Sequence, residues 1–207
     1  MMELKIIGHR GARRVTAENT IESFRFAAQQ PVDAIEMDIR QKNGRLIITH
    51  DQSGDGPELS SILEHKFGKT LDFDIKTPGT VAAMKELFAQ QAPADDWLVN
   101  SLHIEEIIQV KKDFPGHHTL FQTYSRPFKA IKQARAAQAD GLTLTLYLLN
   151  PLTYRAAKRA GLKLLVYQNY LSFLLTWRWF VRFLLKLYPD IAIFTDRPDK
   201  IAPLFKK

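Results

Sequence analysis

The sequence predicts an α/β protein in which eight parallel strands close into a (β/α)8 barrel. Segments typical of strands alternate with segments typical of helices along the whole chain. About eight strand–helix units favour a closed barrel over an open doubly wound sheet. The length of 207 residues lies at the short end of the range for this fold. We therefore expect residues 1–207 to form a single barrel domain.

The individual elements follow from local patterns in chain order. Thr20 and Ser125 suit helix starts, and residues 42–45, with Asn-Gly at the centre, are typical of a tight turn between two strands. Three prolines fit first-turn positions of helices: Pro127, Pro151 and Pro198. Strands are predicted near 4–8, 33–38, 45–49, 70–76, 96–100, 118–122, 141–145, 162–167 and 191–195. Helices are predicted near 20–30, 58–66, 79–90, 103–113, 126–138, 151–160, 171–187 and 198–205.

Polar residues are concentrated at or just past the ends of the first three strands. They are Gly8-His9-Arg10-Gly11, Glu18-Asn19, Glu36 with Asp38, and His50-Asp51. In α/β proteins the carboxyl edge of the strands is where ligands and reactive groups lie. The cluster therefore predicts a functional site formed by the first quarter of the chain.

Alternation within two strands sharpens this prediction. In residues 34–39 apolar side chains alternate with Glu36 and Asp38, and in residues 71–76 they alternate with Asp74. Helices outside the sheet would bury the apolar set, which turns the three carboxylates inward. Converging carboxylates repel one another in a low-dielectric site, and a divalent cation would relieve that repulsion. An all-oxygen ligand set favours Ca²⁺ or Mg²⁺ over zinc.

The same motifs carry a resemblance to a known family. GHRG, the Glu-Asn pair after it, IEMD and a strand that ends in His-Asp resemble the glycerophosphodiester phosphodiesterase family, a group of phospholipase-C-like barrels. The later segments LDFDIK and IFTDRPD agree with it. The similarity extends from residue 6 to about residue 199, and it is dense to residue 51 and thin between 77 and 190. It implies a TIM barrel that hydrolyses glycerophosphodiesters to glycerol phosphate and an alcohol with a divalent cation.

Phosphodiester hydrolysis needs a base, an acid, charge neutralisation and contacts to the non-bridging oxygens. His9 and His50 suit the acid–base pair because imidazole titrates near neutrality. Arg10 and Lys76 suit the phosphate contacts, although a salt bridge between Lys76 and Asp74 is the alternative. The resemblance implies the same roles, with an adjacent glycerol hydroxyl attacking phosphorus and a cyclic glycerol phosphate later opened by water.

Other positions are assigned with alternatives. The resemblance implies that Glu18 is a metal ligand or an orienting residue and that Asn19 fixes its loop. Asp74 departs from the glutamate of most relatives, which shortens the reach to a metal by one methylene. Asp51 is either a loop cap or an orienting group. Asp196 and Arg197 are expected to stabilise the turn after the last strand. No role is predicted for His65, His103, His117 or His118.

The connection after the third strand is unusually short, because Thr70 follows Asp51 by only 19 positions. Relatives carry a longer segment there, including a cap over the site, so we expect a barrel that lacks most of the cap and has a more open pocket. Two alternative functions stay open. One is a lysophospholipase D-like activity on membrane lysolipids, and the other is a non-catalytic phosphate- or lipid-binding relative. The residues do not identify the leaving alcohol.

Charge and apolar patterning point to a further partner. Residues 1–124 hold 14 basic and 18 acidic side chains, whereas residues 125–207 hold 15 basic and 4 acidic ones. In the helix predicted over residues 171–187, basic side chains recur every four positions among many apolar ones. This pattern suits attachment to an anionic membrane, and a homodimer contact is the alternative. The chain has no cysteine and shows no apolar leader, so we expect a cytoplasmic protein, peripheral on the inner membrane face, with no nucleic-acid partner.

Overall fold

The computed structural model describes residues 4–167 and 177–205, and it confirms the closed barrel. The strands are β1 (Ile6–Gly8), β2 (Ala34–Lys42), β3 (Arg45–Ile48), β4 (Thr70–Ile75), β5 (Trp97–Ser101), β6 (His118–Thr123), β7 (Gly141–Thr145), β8 (Lys163–Tyr167) and β9 (Ala192–Thr195). Eight of them run parallel in the order β1-β9-β8-β7-β6-β5-β4-β2, and the pairing of β1 with β2 closes the barrel. The ninth, β3, pairs antiparallel with β2 and lies outside the barrel.

Helices cover the outside of the barrel between the strands. They are α1 (Ile21–Ala28), α2 (Leu59–Leu63), α3 (Thr80–Gln90), α4 (Ile104–Asp113), α5 (Pro127–Ala136), α6 (Pro151–Arg159), α7 (Arg178–Leu187) and α8 (Pro198–Ile201), with 3₁₀ turns at Leu146–Leu148 and Ala202–Phe205. Every predicted strand and helix has a counterpart here. Of the helix predicted over 171–187, residues 171–176 lie outside the described ranges. Within the described ranges, no helix is both long and apolar enough to cross a bilayer.

Helix starts agree with the sequence at all but one position. The Thr20 side chain accepts a hydrogen bond from the Ser23 backbone N–H and caps α1, as predicted. The prediction that Ser125 starts α5 is wrong, because Arg126 occupies the cap position with φ +48° and Pro127 is the first helical residue. The reason is local: the Ser125 backbone N–H donates to the Thr123 hydroxyl at 3.3 Å, which holds Ser125 in the preceding turn.

Apolar side chains form two separate layers. Ile35, Met37 and Phe73 belong to the larger core between the sheet and the helices. Ala34 and Leu98 belong to a smaller cluster inside the barrel. Because side chains alternate along a strand, burial of the first set on the outer face turns Glu36, Asp38 and Asp74 into the barrel. The alternation read from the sequence therefore fixes the face of the sheet on which the acids lie.

The hairpin of β2 and β3 carries the shortened connection. Asn43 and Gly44 both have positive φ, +51° and +75°, as a two-residue hairpin turn requires. From Thr49 to Lys69 the described chain contains α2 as its only helix, five residues long. This confirms the expected lack of an inserted cap in this connection.

Gly11 allows the loop after β1 to pack against α1. A Cβ at Gly11 (φ +79°) would lie 2.4 Å from the Ser23 hydroxyl oxygen and 2.7 Å from the Ser23 carbonyl oxygen. The Ser23 hydroxyl in turn accepts from the Ala12 N–H at 2.7 Å and donates to the Arg10 carbonyl at 2.9 Å. A side chain at Gly11 would therefore displace the loop that holds Arg10.

Gly11→Ala and Gly161→Ala form a matched pair that separates steric overlap from backbone strain. Gly161 has a similar φ of +76°, but nothing lies within 4 Å of a Cβ placed there. We expect Gly161→Ala to lower the free energy of unfolding by about 1–2 kcal/mol, the cost of a left-handed backbone. Gly11→Ala should cost about 1–3 kcal/mol more, because the side chain overlaps α1. Urea denaturation measures both, and equal losses would contradict this account of the loop.

Candidate active site

Three carboxylates converge at the carboxyl edge of β2 and β4. One side-chain oxygen each from Glu36, Asp38 and Asp74 can be chosen so that all lie within 4.8 Å of one another. The strand register explains the convergence, because Asp38 on β2 is the direct neighbour of Asp74 on β4. All three residues are buried, with 0–2% of their surface exposed. The sequence therefore identified the acidic cluster correctly.

The electrostatics of this cluster fit a bound cation. Burial, followed by the charges of Asp38 and Asp74, raises the pKa of Glu36 well above its ordinary value. Burial also raises the pKa of Asp74. The buried Oε1 of Glu36 and Oδ1 of Asp74 have no hydrogen-bond partner in the described part of the chain. Buried oxygens without partners are costly, and a hard divalent cation is the ligand that an all-oxygen set would accept.

Two cationic side chains already compensate part of this charge. The Lys76 ammonium lies 2.8 Å from Asp38 Oδ1 and also contacts Asp74 Oδ2. The Arg10 Nε lies 2.9 Å from Asp38 Oδ2, and an Arg10 terminal nitrogen donates to Glu18 Oε1 at 2.6 Å. Although burial raises the pKa of Asp38, Lys76 and Arg10 hold it below the ordinary range. The salt bridge between Lys76 and Asp74, the alternative to a phosphate contact by Lys76, is present in this structure. Arg10 likewise contacts carboxylates.

Glu18 and Asn19 orient the cluster from the loop before α1. The Asn19 side-chain amide donates to Asp38 Oδ2 at 2.8 Å, and the Asp38 backbone N–H donates to Asn19 Oδ1 at 3.2 Å. Asn19 has φ +58°, a left-handed conformation that asparagine tolerates better than most residues. Glu18 holds Arg10 and, at 2.7 Å, Arg13. Neither residue is part of the group of three converging carboxylates.

His9 is buried and positioned by Asp196, whose contact the sequence did not reveal. The His9 Nδ1 lies 2.6 Å from Asp196 Oδ1, and the His9 Nε2 has no hydrogen-bond partner among the described residues. Although burial raises the pKa of Asp196, its contact with His9 lowers it overall, so the carboxylate is the acceptor and Nδ1–H the donor. Burial lowers the pKa of His9 even though Asp196 raises it. The lowered pKa favours the neutral imidazole, and a hydrogen bond donated by Nδ1 leaves the lone pair on Nε2.

The signal that could have revealed Asp196 is the closure of the barrel. Gly8 and Thr195 are register partners on β1 and β9, so the next residues, His9 and Asp196, lie side by side. Reading this requires knowing that the last strand pairs with the first. The same edge brings Tyr167 at the end of β8 against His9, edge to face, with ring centroids 5.2 Å apart.

His50 lies in the segment that follows β3. Because β3 runs antiparallel outside the barrel, the chain returns to the level of Asp38, whose carbonyl accepts from the Thr49 N–H at 3.0 Å. The His50 side chain is 44% exposed, and its Nδ1 lies 3.1 Å from Asp51 Oδ1. Arg40 holds the His50 carbonyl through two donors at 2.7 and 3.1 Å. Within the described ranges the structure shows no direct contact between His50 and His9.

A cavity lies between His50 and the loop before α1. Its volume is about 140 Å³, and its lining includes Glu18, Asn19, His50 and Asp51. Glu18 and Asn19 are the residues that contact Arg10 and Asp38 on their other side. Two of the histidines without a predicted role lie at the opposite edge of the barrel, where the His117 ring stacks on Trp97 at 3.7 Å and His118 lies 3.4 Å from Asp140.

Asp72 is a further buried acid, two residues before Asp74 on the same face of β4. It is fully buried, and neither carboxyl oxygen has a hydrogen-bond partner in the described ranges. Burial, followed by the charge of Asp74, raises its pKa well above the ordinary value. Burial therefore favours the protonated form of Asp72, and Asp72 is not part of the converging group.

Comparison with known proteins agrees with the resemblance read from the sequence. Residues 9–66 match the Glycerophosphoryl diester phosphodiesterase family. A curated glycerophosphodiester phosphodiesterase of Caldanaerobacter subterraneus subsp. tengcongensis is 38% identical over 55 residues, which are 26% of this chain and 23% of that protein. The chain thus matches about a quarter of the length of this curated relative.

Solved structures agree over the whole barrel. A phosphodiesterase of Oleispira antarctica, solved in complex with the product sn-glycerol-3-phosphate, superposes with a TM-score of 0.82 at 22% identity, covering 97% of this chain and 96% of that one. A putative glycerophosphodiester phosphodiesterase of Galdieria sulphuraria gives a TM-score of 0.77 at 20% identity, covering 97% of each chain. At these identities the superpositions establish the fold, a TIM barrel.

The pairing of His9 with Asp196 can be tested by titration. Asp196→Asn removes a charge that favours the imidazolium form, so we expect the pKa of His9 to fall further below its ordinary value. NMR of the imidazole carbon-bound protons across pH measures this. Asp199→Asn is the control, because Asp199 pairs with Arg197 at 2.6 Å rather than with a histidine. A His9 pKa that stays the same or rises in Asp196→Asn would contradict the assigned contact.

Proposed function

We propose that this chain, whose residues 9–66 match the Glycerophosphoryl diester phosphodiesterase family, hydrolyses glycerophosphodiesters to glycerol phosphate and an alcohol. The observation that carries this proposal is the buried group of Glu36, Asp38 and Asp74 at the same barrel edge as the buried pair of His9 and Asp196. We take residues 1–207 as one barrel domain with this activity, in the cytoplasm.

Glu36, Asp38 and Asp74 are proposed to hold the divalent cation, Ca²⁺ or Mg²⁺. Support comes from the oxygens of Glu36 and Asp74 that are buried without partners. When bound, the cation polarises a phosphoryl oxygen and lowers the pKa of a bound hydroxyl. Asn19 keeps Asp38 in place through its two hydrogen bonds, and Glu18 keeps Arg10 in place. We therefore assign Glu18 and Asn19 orienting roles.

His9 and His50 are proposed to transfer the protons. The His9 Nε2 takes the proton from the glycerol hydroxyl next to the phosphate as that oxygen bonds to phosphorus, and His50 gives a proton to the oxygen of the leaving alcohol as its bond to phosphorus breaks. Water then opens the cyclic glycerol phosphate with the two histidines in exchanged roles. Asp196 is the positioning residue, because its hydrogen bond to Nδ1 directs the lone pair of Nε2 into the site.

Arg10 and Lys76 are proposed to contact the phosphate. An ammonium group has three N–H donors and a guanidinium has five. Lys76 donates to Asp74 and forms an ion pair with Asp38, and Arg10 contacts Asp38 and Glu18. The remaining donors are available for non-bridging phosphate oxygens. These carboxylates hold the side chains of Lys76 and Arg10 in a fixed position, which limits the entropy lost when the phosphate binds.

The partner of helix α7 is also a proposal. Trp179, Phe183 and Leu187 recur every four residues on its surface and are 51–61% exposed. Arg178, Arg182 and Lys186 form the adjacent stripe, all exposed. An apolar stripe beside a basic one supports an anionic membrane surface as the partner. A lysolipid substrate would be reached at such a surface, whereas a homodimer contact is the alternative.

The cation requirement gives the first test of function. We expect EDTA to abolish release of glycerol phosphate from glycerophosphodiesters, and Ca²⁺ or Mg²⁺ to restore it. Glu36→Gln or Asp38→Asn should reduce turnover by about 10²-fold or more and weaken metal binding in calorimetry, because each removes an anionic ligand. Asp190→Asn is the control, since Asp190 is exposed and pairs with Lys158 at 2.7 Å. Full activity after metal removal would rule out the cation, and no activity under any condition would favour the non-catalytic alternative.

The histidine pair gives an independent test. His9→Ala and His50→Ala should each lower kcat by about 10²-fold or more, as for other general acid–base groups, and the wild-type pH–rate profile should be bell-shaped. His118→Ala should keep the wild-type rate, because His118 lies at the other edge of the barrel beside Asp140. Near-wild-type rates in both His9→Ala and His50→Ala would show that the protons are transferred elsewhere.

A further inference from the structure

Exposed apolar side chains are concentrated at one part of the barrel edge. Of the ten large apolar side chains that are exposed in the described ranges, six lie in the connections that follow β5, β6, β7 and β8 or in the helical turns next to them. We call this set the apolar rim. It consists of Leu102, Phe128, Tyr147, Leu152, Trp177 and Trp179, which are 38–68% exposed.

The rim lies at the same edge as the candidate active site. In a (β/α)8 barrel every helix begins at the carboxyl edge of the strand before it, so the first turns of α5, α6 and α7 surround the site. Contacts connect the rim to His9: the Tyr147 hydroxyl donates to the Tyr124 carbonyl, and the Tyr124 ring lies 6.1 Å from that of Tyr167. Tyr167 contacts His9. The rim is thus continuous with the wall of the site.

Basic residues predominate in the segments that carry most of the rim. From Tyr124 to Pro189 the sequence holds a single acid, Asp140. Asp140 directly precedes β7 at the opposite edge of the barrel, where it pairs with Lys111 at 2.6 Å. The turns of the rim carry Arg126, Lys129 and Arg178, all exposed. Glu105 is an exposed acid in the first turn of α4, near Leu102. The part of the rim after β6, β7 and β8 has basic neighbours and is complementary to an anionic lipid surface, whose interface accepts Trp, Tyr and Phe.

We propose that the apolar rim docks on an anionic lipid surface, so that the mouth of the barrel faces the bilayer. This orientation goes beyond the attachment of α7, because α7 contributes only its first turn, at Trp177 and Trp179. It deepens the proposed function without depending on it: docking needs no catalysis, but it would present the site to phosphodiesters whose acyl chain stays in the membrane.

A second copy of the chain fits the rim less well. In a two-fold dimer the same patch meets itself, which would bring Arg126, Lys129 and Arg178 of one copy against those of the other. Like charges across an interface are unfavourable, and the turns of the rim after β6, β7 and β8 hold no acid to pair with them. Anionic headgroups supply the missing negative charge.

Co-sedimentation of the full chain with vesicles tests the docking. The probes are vesicles of phosphatidylserine and phosphatidylcholine, and vesicles of phosphatidylcholine alone. The rim variant Phe128→Ser/Leu152→Ser/Trp179→Ser should bind the anionic vesicles about tenfold or more weakly than the wild type. Ile108→Ser is the matched control, because Ile108 is 52% exposed on α4, away from the rim, and should bind like the wild type. Wild-type binding should weaken with salt and be lowest for pure phosphatidylcholine.

A second variant decides the orientation. Phe183→Ser/Leu187→Ser removes the lower part of the α7 stripe and leaves the rim intact, so it should retain most of the binding. If this variant loses binding while the rim variant keeps it, the protein attaches by the side of α7, and the orientation proposed here is wrong. A wild type that ignores anionic vesicles and runs as a dimer in gel filtration also overturns it.

Activity assays separate this proposal from the proposed function. The rim variant should hydrolyse soluble glycerophosphoethanolamine at the wild-type rate and lose about tenfold on lysophosphatidylethanolamine presented in anionic vesicles. Equal rates of the two proteins on the vesicle substrate would overturn the catalytic consequence of docking. If the wild type hydrolyses neither substrate, the proposed function fails, while the sedimentation result still decides the docking.

Discussion

Like-charge repulsion among buried carboxylates is the constraint around which this barrel edge is organised. Strand register brings Glu36, Asp38 and Asp74 together, so that one carboxyl oxygen of each lies within 4.8 Å of the others. Three unscreened anions at such spacing would strongly oppose folding. Arg10 and Lys76 reduce that cost, and each depends on a special feature: Arg10 adopts φ +48° in a loop that Gly11 fits against α1, and Lys76 continues the inward side of β4. The unpaired oxygens that remain are where the structure favours a cation.

Different kinds of contact hold the two proposed proton carriers, His9 and His50, in place. His9 is buried between Asp196 and Tyr167 and belongs to the closed wall of the barrel. His50 is exposed on the segment after the appended strand and is held mainly through its backbone, by Arg40. Burial lowers the pKa of His9, which keeps it a proton acceptor near neutral pH. The arrangement thus combines one buried histidine held by side-chain contacts with one exposed histidine held through its backbone.

The sequence was sufficient wherever the relevant interaction is local or periodic. Alternation in β2 and β4 predicted the inward acids, the Asn-Gly pair predicted the hairpin, and the prolines predicted three helix starts. It failed at Ser125, where the Thr123 hydroxyl donates to the Ser125 carbonyl, the group that would accept the first helical hydrogen bond if Ser125 were the cap. It also missed the contact of Asp196 with His9, because their proximity exists only after the last strand has paired with the first. The ion pairs of Arg10 could not be predicted either, because the conformation of its loop depends on contacts with α1.

The antiparallel β3 has a consequence for how the two halves of the proposed site respond to stress. Parallel strands of the barrel are each paired with a strand on both sides, whereas β3 pairs with a strand, β2, on one side. On its other side, Ile47 forms a single bridge with Glu58, and the Ile48 N–H donates to the Pro57 carbonyl. Such peripheral units open at lower free energy than the body of a domain. Heat or mild denaturant would therefore detach the segment with His50 while the carboxylates and His9 stay assembled. Before it unfolds, the protein would pass through a state that keeps the three carboxylates together but has lost one of the two proposed proton carriers.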